Sequence, residues 1–151
     1  FDKTIATVLN HCEGNYWISE WFVSQGNYQM QLDQLIPWLR DEVEYDLIVS
    51  EANGVGDVPS DLLMAELDNV TAVIINNPWK TKRARELVHL ASHDKLTYNA
   101  GHRYAATFHK DITSVEYSMT NLNEIHFGEK GHSDFLSSLM LCLEKSRAVY
   151  V

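Results

Sequence analysis

Two continuous apolar segments, each followed by a turn and a helix-like segment, constrain the fold more than any other feature of this sequence. The first is Tyr45–Ser50 (YDLIVS) and the second is Val70–Ile75 (VTAVII). Strands that are buried on both faces have such uninterrupted apolar runs, whereas strands with one solvated face alternate. A helix-start signal, Pro59-Ser60, follows the first segment. The pattern predicts strands alternating with helices, and therefore a parallel sheet with helices on both faces.

The rest of the chain supplies further elements of this pattern. In chain order we predict strand one at Lys3–Leu9, a helix at Trp17–Phe22, strand two at Tyr28–Leu32, short helix Leu35–Glu42, strand three at Tyr45–Ser50, helix three at Asp57–Leu67, strand four at Val70–Ile75, helix four at Trp79–Ala91, strand five at Arg103–Phe108 and a last helix at Phe135–Leu143. Five such units predict an α/β fold of three layers, a doubly wound five-stranded parallel sheet in the flavodoxin-like order 2-1-3-4-5. We expect one domain over 1–151, with an irregular insertion or linker at 113–130 before the last helix.

Charge and cysteine content narrow the function classes. The formal net charge is −9, from 12 Lys and Arg against 21 Asp and Glu. Contact with a phosphate backbone needs clustered positive side chains, so no direct nucleic-acid binding is expected. The two cysteines form no disulfide framework, and no apolar run approaches the roughly 18 residues of a membrane span. We expect a cytoplasmic domain without membrane insertion, and its first residue, Phe1, indicates excision from a longer protein.

Two sequence segments point to a known family. The segment HCEGNYWISEWFVSQGNYQMQ (11–31) has Asn15 and Tyr28 at positions where that family favours Asn and an aromatic residue, and YDLIVSE matches its third strand in register. On these segments, the chain over roughly Lys3–Ile112 resembles the receiver domain of two-component signalling proteins, in a degenerate, pseudo-receiver form. The resemblance implies a response-regulator fold and a domain that belongs to a phosphorelay or to a transcriptional signalling protein.

The resemblance also implies a phosphoryl-acceptor pocket in which most of the family's chemistry is replaced. The family's two Mg²⁺-binding acids correspond to Asn10 and His11, its acceptor Asp to Glu51 and its strand-four hydroxyl to Asn76, while its Lys is retained as Lys110. Mg²⁺ prefers carboxylate oxygens, which Asn10 and His11 lack. The additional methylene of Glu51 displaces its carboxylate by about an ångström from the acceptor position. We therefore expect no phosphoryl transfer, no catalytic residue, no metal and no cofactor.

Two interpretations of Glu51 remain open at this point: a structural ion pair with Lys110, and a solvated carboxylate without a role. In either case we predict a phosphorylation-independent signalling domain that binds proteins and is not an enzyme. The resemblance implies a histidine kinase, a phosphotransfer domain or an output domain as the partner, and the apolar last helix allows a homodimer. The predicted partner-binding patch consists of the basic side chains of helix four: Lys80, Lys82, Arg83 and Arg85.

Two alternative functions use a similar fold. The segment GVGDVP (54–59) resembles a flavodoxin loop and suggests an FMN-binding electron-transfer domain, although Glu13 would repel the FMN phosphate from the CEGN loop. A partition-type ATPase would require a truncated N-terminus, because the sequence contains no GxxxxGK[ST] motif. His89 and His93 are expected on a solvated helix face instead of a zinc site, because no Glu follows His89 in the H-E-x-x-H pattern.

Overall fold

The computed structural model describes residues 3–52, 58–113, 115–116, 126–127 and 134–144, which form short helices and strands along the chain. The elements are β1 (Lys3–Cys12), β2 (Asn15–Gln25), α1 (Tyr28–Pro37), a π-helical turn (Trp38–Glu42), β3 (Ile48–Glu51), α2 (Val58–Glu66), β4 (Val70–Val73), α3 (Asn77–Ser92), β5 (Leu96–Tyr98), α4 (Ala105–Thr113), β6 (Val115–Glu116), β7 (His126–Phe127) and α5 (Asp134–Leu143). Across these described ranges, no helix has both the length and the apolar character needed to cross a membrane.

A long hairpin forms the start of the chain. β1 and β2 are hydrogen-bonded neighbours joined by the two-residue turn Glu13–Gly14. Both turn residues have positive φ angles, 50° and 80°, which matches the backbone twist of a two-residue hairpin turn. Because such a short connection can join only antiparallel strands, β1 and β2 are antiparallel. β2 also pairs in parallel with β5, with Tyr16 opposite Leu96, so this three-stranded sheet is mixed, in the order β1-β2-β5.

A second, two-stranded sheet contains the strands predicted from the apolar segments. β3 and β4 are parallel, with Ile48 opposite Val70 and Glu51 opposite Val73. α2 connects these two strands, as expected for a parallel pair, which needs a crossover connection. This βαβ unit is the part of the doubly wound pattern that the structure retains.

The predicted five-stranded parallel sheet in the order 2-1-3-4-5 is wrong, because the described strands form a mixed three-stranded sheet and separate two-stranded sheets. The helix predicted at Trp17–Phe22 lies within β2. In β2 the buried positions advance by two residues from Tyr16 to Ile18 and then by three to Trp21. Apolar residues at these uneven steps resemble the spacing of a helix face, which explains the error.

Strands two and five were also predicted at the wrong places. Tyr28–Leu32 lies in α1, whose first turn is capped by the Asn27 side chain as it accepts a hydrogen bond from the Met30 N–H at 2.8 Å. Arg103–Phe108 contains the start of α4, which buries Ala105 and Phe108, three residues apart on one helix face. The fifth strand instead precedes it, at Leu96–Tyr98.

The other predicted elements are confirmed in type, with ends shifted by a few residues: β1, β3, α2, β4, α3 and α5. The helix predicted at Leu35–Glu42 is divided between the end of α1 and the π-helical turn, and the change follows Pro37, which has no N–H to donate. Of the predicted insertion at 113–130, the structure describes Thr113 and the antiparallel pair β6–β7. The remainder of that prediction lies outside the described residues.

Contacts group the chain into two compact units. Unit 1 comprises Phe1–Ile5 and Phe22–Ile75, and unit 2 comprises Ala6–Trp21 and Asn76–Val151, so each unit includes part of the hairpin. The buried apolar side chains of unit 1 include Leu32, Leu35, Leu39, Leu63 and Leu67. Those of unit 2 include Trp21, Phe108, Leu139, Met140 and Leu143. Each unit therefore has its own apolar core.

In unit 2, polar contacts join α5 to β1. The Ser138 and Thr7 hydroxyls are 2.9 Å apart, and the Cys142 thiol donates to the Thr7 carbonyl with a Sγ–O distance of 3.3 Å. Desolvation of the thiol raises the pKa of Cys142 to about 12, against the opposing effect of backbone hydrogen bonds. Cys12, at the end of β1, is exposed. The two free cysteines therefore differ in their chemical environment.

This difference predicts the reactivity of the two thiols. At pH 8 a thiol with a pKa near 12 is ionised in about one molecule in 10⁴, and the thiolate is the reactive form. A disulfide exchange reagent should therefore modify one thiol per native chain rapidly, and both after denaturation. In the native state, Cys142→Ser should leave the rapid phase unchanged and Cys12→Ser should abolish it. Rapid modification of Cys142 in the native Cys12→Ser variant would contradict this packing of α5.

Candidate functional site

Glu51 ends β3, and its carboxylate is exposed. Its backbone is fixed by the neighbouring strand, because Glu51 lies opposite Val73 and the next residue, Ala52, donates its N–H to the Val73 carbonyl at 2.8 Å. In open α/β sheets, ligands bind beyond the carboxyl ends of the strands. Glu51 was predicted to end a strand, and the structure places it at the end of β3.

A pair of serine hydroxyls fixes the same strand end from the side of α2. Ser60 is buried, and its hydroxyl donates to the Glu51 carbonyl at 2.9 Å. The Ser50 and Ser60 hydroxyl oxygens are also 2.9 Å apart. Because each hydroxyl has one proton and Ser60 uses its own for the Glu51 carbonyl, Ser50 is the donor to Ser60. The relay Ser50–Ser60–Glu51 holds the backbone of Glu51 while its carboxylate stays accessible to solvent.

The carboxylate of Glu51 has the chemistry of a ligand for hard divalent cations, which prefer oxygen donors. Within the ranges that the structure describes, no group of three or more His, Cys, Asp or Glu side chains is arranged to hold a metal ion. Among the described residues, Glu51 therefore offers one exposed carboxylate at the end of β3.

Asn10 and His11 lie in unit 2, inside β1, and are not at the end of a parallel strand. The Asn10 amide donates to the Ser19 hydroxyl at 2.8 Å and to the Trp17 carbonyl at 3.3 Å, across the hairpin. The His11 ring stacks on the ring of Tyr16, with centroids 4.0 Å apart and planes 9° from parallel. Desolvation in this stack lowers the pKa of His11. Both side chains stabilise the hairpin.

Asn76 and Lys110 also belong to unit 2. The Asn76 side chain caps α3 by accepting a hydrogen bond from the Trp79 N–H at 2.9 Å. Lys110 is exposed in the last turn of α4, not after a strand. The predicted pocket assumed that these residues followed strands of one parallel sheet, together with Asn10 and His11. With the true order of elements, that reason for placing them beside Glu51 no longer holds.

The four basic residues of α3 do not share one environment. Lys82 and Arg85 are exposed and Lys80 is half-buried. Arg83 is buried, with 8% of its side chain exposed, and it pairs with the Glu144 carboxylate at 2.8 Å and with Glu86 at 2.9 Å. Arg83 thus joins α3 to the end of α5 and does not contribute to an exposed basic patch.

Trp79 completes this network in unit 2. Its indole N–H donates to the Glu144 carboxylate at 2.7 Å, and the Arg83 guanidinium lies 5.9 Å from the Trp79 ring centroid. An ion pair that is removed from water depends on both partners, because loss of one leaves an uncompensated buried charge. The network is therefore a structural connection between α3 and α5.

We predict that Arg83→Ala lowers the free energy of unfolding by about 2–4 kcal/mol, because the carboxylates of Glu86 and Glu144 lose their ion pairs with the buried guanidinium. Lys82→Ala removes the same charge from the exposed face of the same helix and should change that free energy by about 0.5 kcal/mol or less. Urea unfolding of the two variants measures the difference. Equal effects would show that Arg83 is not held in the buried ion pair.

Sequence reasoning missed a polar cluster at the carboxyl end of β5. The His102 imidazole lies 2.5 Å from the Glu20 carboxylate, measured from Nε2 to Oε1, and its Nδ1 accepts the Tyr104 N–H at 3.1 Å. Because Nδ1 is an acceptor, Nε2 has the proton and donates to Glu20. Glu20 and His102 are far apart in the sequence, and only the pairing of β2 with β5 brings them together. No local motif could have indicated this pair.

The mixed sheet and the parallel β3–β4 pair define a class of fold. The fold is similar to that of a large terminase nuclease. A crystal structure of the large terminase nuclease from thermophilic phage G20c with bound magnesium has a TM-score of 0.73 and 20% sequence identity, and the match covers 93% of this chain and 72% of that chain. A second crystal structure of that nuclease has a TM-score of 0.72 and 21% identity, and covers 93% of this chain and 73% of that chain.

These similarities establish the fold. No protein-family model matches the sequence, and no curated protein matches it. The receiver-domain assignment is wrong, because the similar structures are nuclease domains. The prediction of a non-enzymatic signalling domain rested on that assignment and is also wrong. The fold supports neither the FMN-binding alternative nor the partition-type ATPase alternative.

Proposed function

We propose that this chain is a nuclease domain that hydrolyses phosphodiester bonds of nucleic acids with the help of a divalent cation. One observation carries the proposal: 93% of the chain superposes, with a TM-score of 0.73, on a large terminase nuclease whose crystal structure contains magnesium. Fold alone does not define chemistry, so the proposal also needs residues that suit the reaction.

Glu51 suits the role of a metal ligand. Magnesium binds oxygen donors and is commonly held by one or two carboxylates, with waters and substrate phosphates in the remaining positions. An exposed carboxylate at a strand end meets this requirement. In the proposed site, Glu51 supplies one of the protein oxygens. A closed cage of protein ligands is not needed for this role.

The accessibility of Glu51 also suits a polymeric substrate. A nucleic-acid chain cannot enter a small closed cavity, whereas it can lie across an exposed sheet end. The Ser50–Ser60–Glu51 relay keeps the backbone of Glu51 in place, and such support from surrounding hydrogen bonds fixes the geometry of a functional group. When bound, a divalent cation supplies neutralisation of phosphate charge and activation of water.

The acidic character of the chain is compatible with this proposal. The expectation that nucleic acid is not bound directly rested on the net charge of −9. That expectation assumed that Lys and Arg side chains alone neutralise phosphates, while a cation held by a carboxylate neutralises them at the reaction site. We retain the cytoplasmic location as a further part of the proposal, in agreement with the two free cysteines.

We predict that the wild-type domain cleaves nucleic acid in Mg²⁺ or Mn²⁺ and is inactive in EDTA. Glu51→Gln should lower the cleavage rate by about 100-fold or more, because the amide has no negative charge with which to hold the cation. Fluorescent duplex DNA, single-stranded DNA and RNA, resolved on denaturing gels, provide the substrates.

Glu44→Gln is the matched control, because it removes an exposed carboxylate from the same unit. It should cleave at the wild-type rate, and thermal unfolding should show that both variants are folded. The proposal would be refuted by metal-dependent cleavage at the same rate in Glu51→Gln and wild type, or by a folded wild-type domain that cleaves none of the substrates.

A further inference from the structure

The chain between β5 and α4 forms a compact turn in unit 2. The Asn99 side chain accepts a hydrogen bond from the Gly101 N–H at 2.9 Å, and the Asn99 carbonyl accepts one from the His102 N–H at 3.1 Å. The His102 carbonyl then accepts the Ala105 N–H at 3.0 Å, where α4 begins. These bonds fix the backbone on both sides of Arg103 and Tyr104. The turn follows the carboxyl end of β5, a strand that is parallel to β2.

Arg103 is exposed, and yet its guanidinium is held in place. Its Nη2 donates to the Tyr104 hydroxyl at 2.6 Å, and its Cζ atom lies 4.5 Å from the Tyr104 ring centroid. Tyr104 is supported in turn by aromatic neighbours, because its ring centroid lies 6.3 Å from that of the buried Phe135 and 5.8 Å from that of His102. The aromatic core of unit 2 therefore positions an arginine side chain at the surface.

The charge of Arg103 is not compensated in the way that the charges of Arg40 and Arg83 are. Arg40 pairs with Glu66 at 3.3 Å, and Arg83 pairs with Glu144 at 2.8 Å. The partner of Arg103 is a neutral phenol, and no carboxylate among the described residues lies within ion-pair distance of it. Glu20, the carboxylate that contacts the same turn, is occupied by His102.

A guanidinium that is held by Tyr104 and has no counter-charge among the described residues is suited to an anionic ligand. A guanidinium has five N–H donors in a fixed plane, and Tyr104 uses one of them, so the remaining donors can bind two oxygens of one phosphate. The contacts with Tyr104 restrict the Arg103 side chain in the free protein, which lowers the entropy lost on binding. The position beyond a parallel strand end is one where ligands bind in α/β folds.

We propose that Arg103, presented by Tyr104, binds a backbone phosphate of the nucleic-acid substrate. This inference rests on the proposed nuclease function and names a substrate contact within unit 2. Arg103 acts in binding and Tyr104 in positioning, and neither takes part in the hydrolysis. Duplex DNA, single-stranded DNA and RNA all contain phosphodiester groups, so they are separate probes of the same contact.

The test is fluorescence anisotropy of labelled oligonucleotides in EDTA at low ionic strength, where binding is measured without cleavage. We expect Arg103→Ala to bind about tenfold more weakly, as for the loss of a charge-assisted contact. It should also lower the slope of log affinity against log salt concentration by about one. Arg103→Lys should retain the slope and lose part of the affinity, because it keeps the charge without the planar fork. Tyr104→Phe should lose part of the affinity at an unchanged slope.

Lys82→Ala is the control for general charge effects, because it removes one exposed positive charge from unit 2 and should change affinity by less than about twofold. Wild-type affinity and salt slope in Arg103→Ala would overturn the inference and leave the nuclease proposal standing. Absence of binding by the wild type to every probe would also overturn the inference, while cleavage assays decide the proposed function separately. Binding that depends on Arg103 in a protein that cleaves nothing would support this contact and refute the nuclease proposal.

Discussion

The two-residue turn at Glu13–Gly14 sets the strand directions in the three-stranded sheet. Its two positive φ angles force β2 to return antiparallel along β1, so the start of the chain is a hairpin. β5 then adds to the other edge of β2 in the parallel direction. This arrangement puts Trp21 into the core of unit 2, where its ring centroid lies 5.0 Å from that of Phe108 and 6.3 Å from that of Phe135. The same core supports Tyr104 and hence the guanidinium of Arg103.

Glu51 and Arg103, the two proposed functional residues, each have an exposed charged side chain on a fixed backbone. Buried Ser60 holds the carbonyl of Glu51, and the carboxylate remains accessible. Tyr104 holds Arg103 in a comparable way through its hydroxyl and its ring. The buried charge, Arg83, is instead neutralised by Glu86 and Glu144. Pairing with internal counter-charges therefore distinguishes Arg83 from the proposed functional residues, Glu51 and Arg103.

The sequence was sufficient to predict the βαβ unit because its signals are local. Each of these signals occupies only a few consecutive residues: the apolar runs of β3 and β4, and the helix start before Ser60. Glu51 followed from the same reasoning, as the acid at the end of an apolar run. Its environment did not follow, because the hydroxyl of Ser60 reaches its carbonyl only after α2 has folded back on β3.

The hairpin and the cluster around His102 could not be predicted in the same way. A Glu-Gly turn is a weaker signal than Asn-Gly, and the uneven burial along β2 imitates a helix. An error at Trp17–Phe22 changed the number and direction of the strands, and that change removes the reason for grouping Asn10, His11, Asn76 and Lys110 in one pocket. The Glu20–His102 contact depends on strand pairing between distant segments, which no spacing within the sequence encodes.

Anomalous scattering from crystals soaked in Mn²⁺ tests whether Glu51 holds a divalent cation, as we propose. We expect an anomalous peak at about 2.1–2.2 Å from a Glu51 carboxylate oxygen, with the remaining positions filled by oxygen ligands. The peak should be absent in Glu51→Gln crystals and present in Glu44→Gln crystals. Bound Mn²⁺ located away from Glu51, or an unchanged peak in Glu51→Gln, would contradict the account.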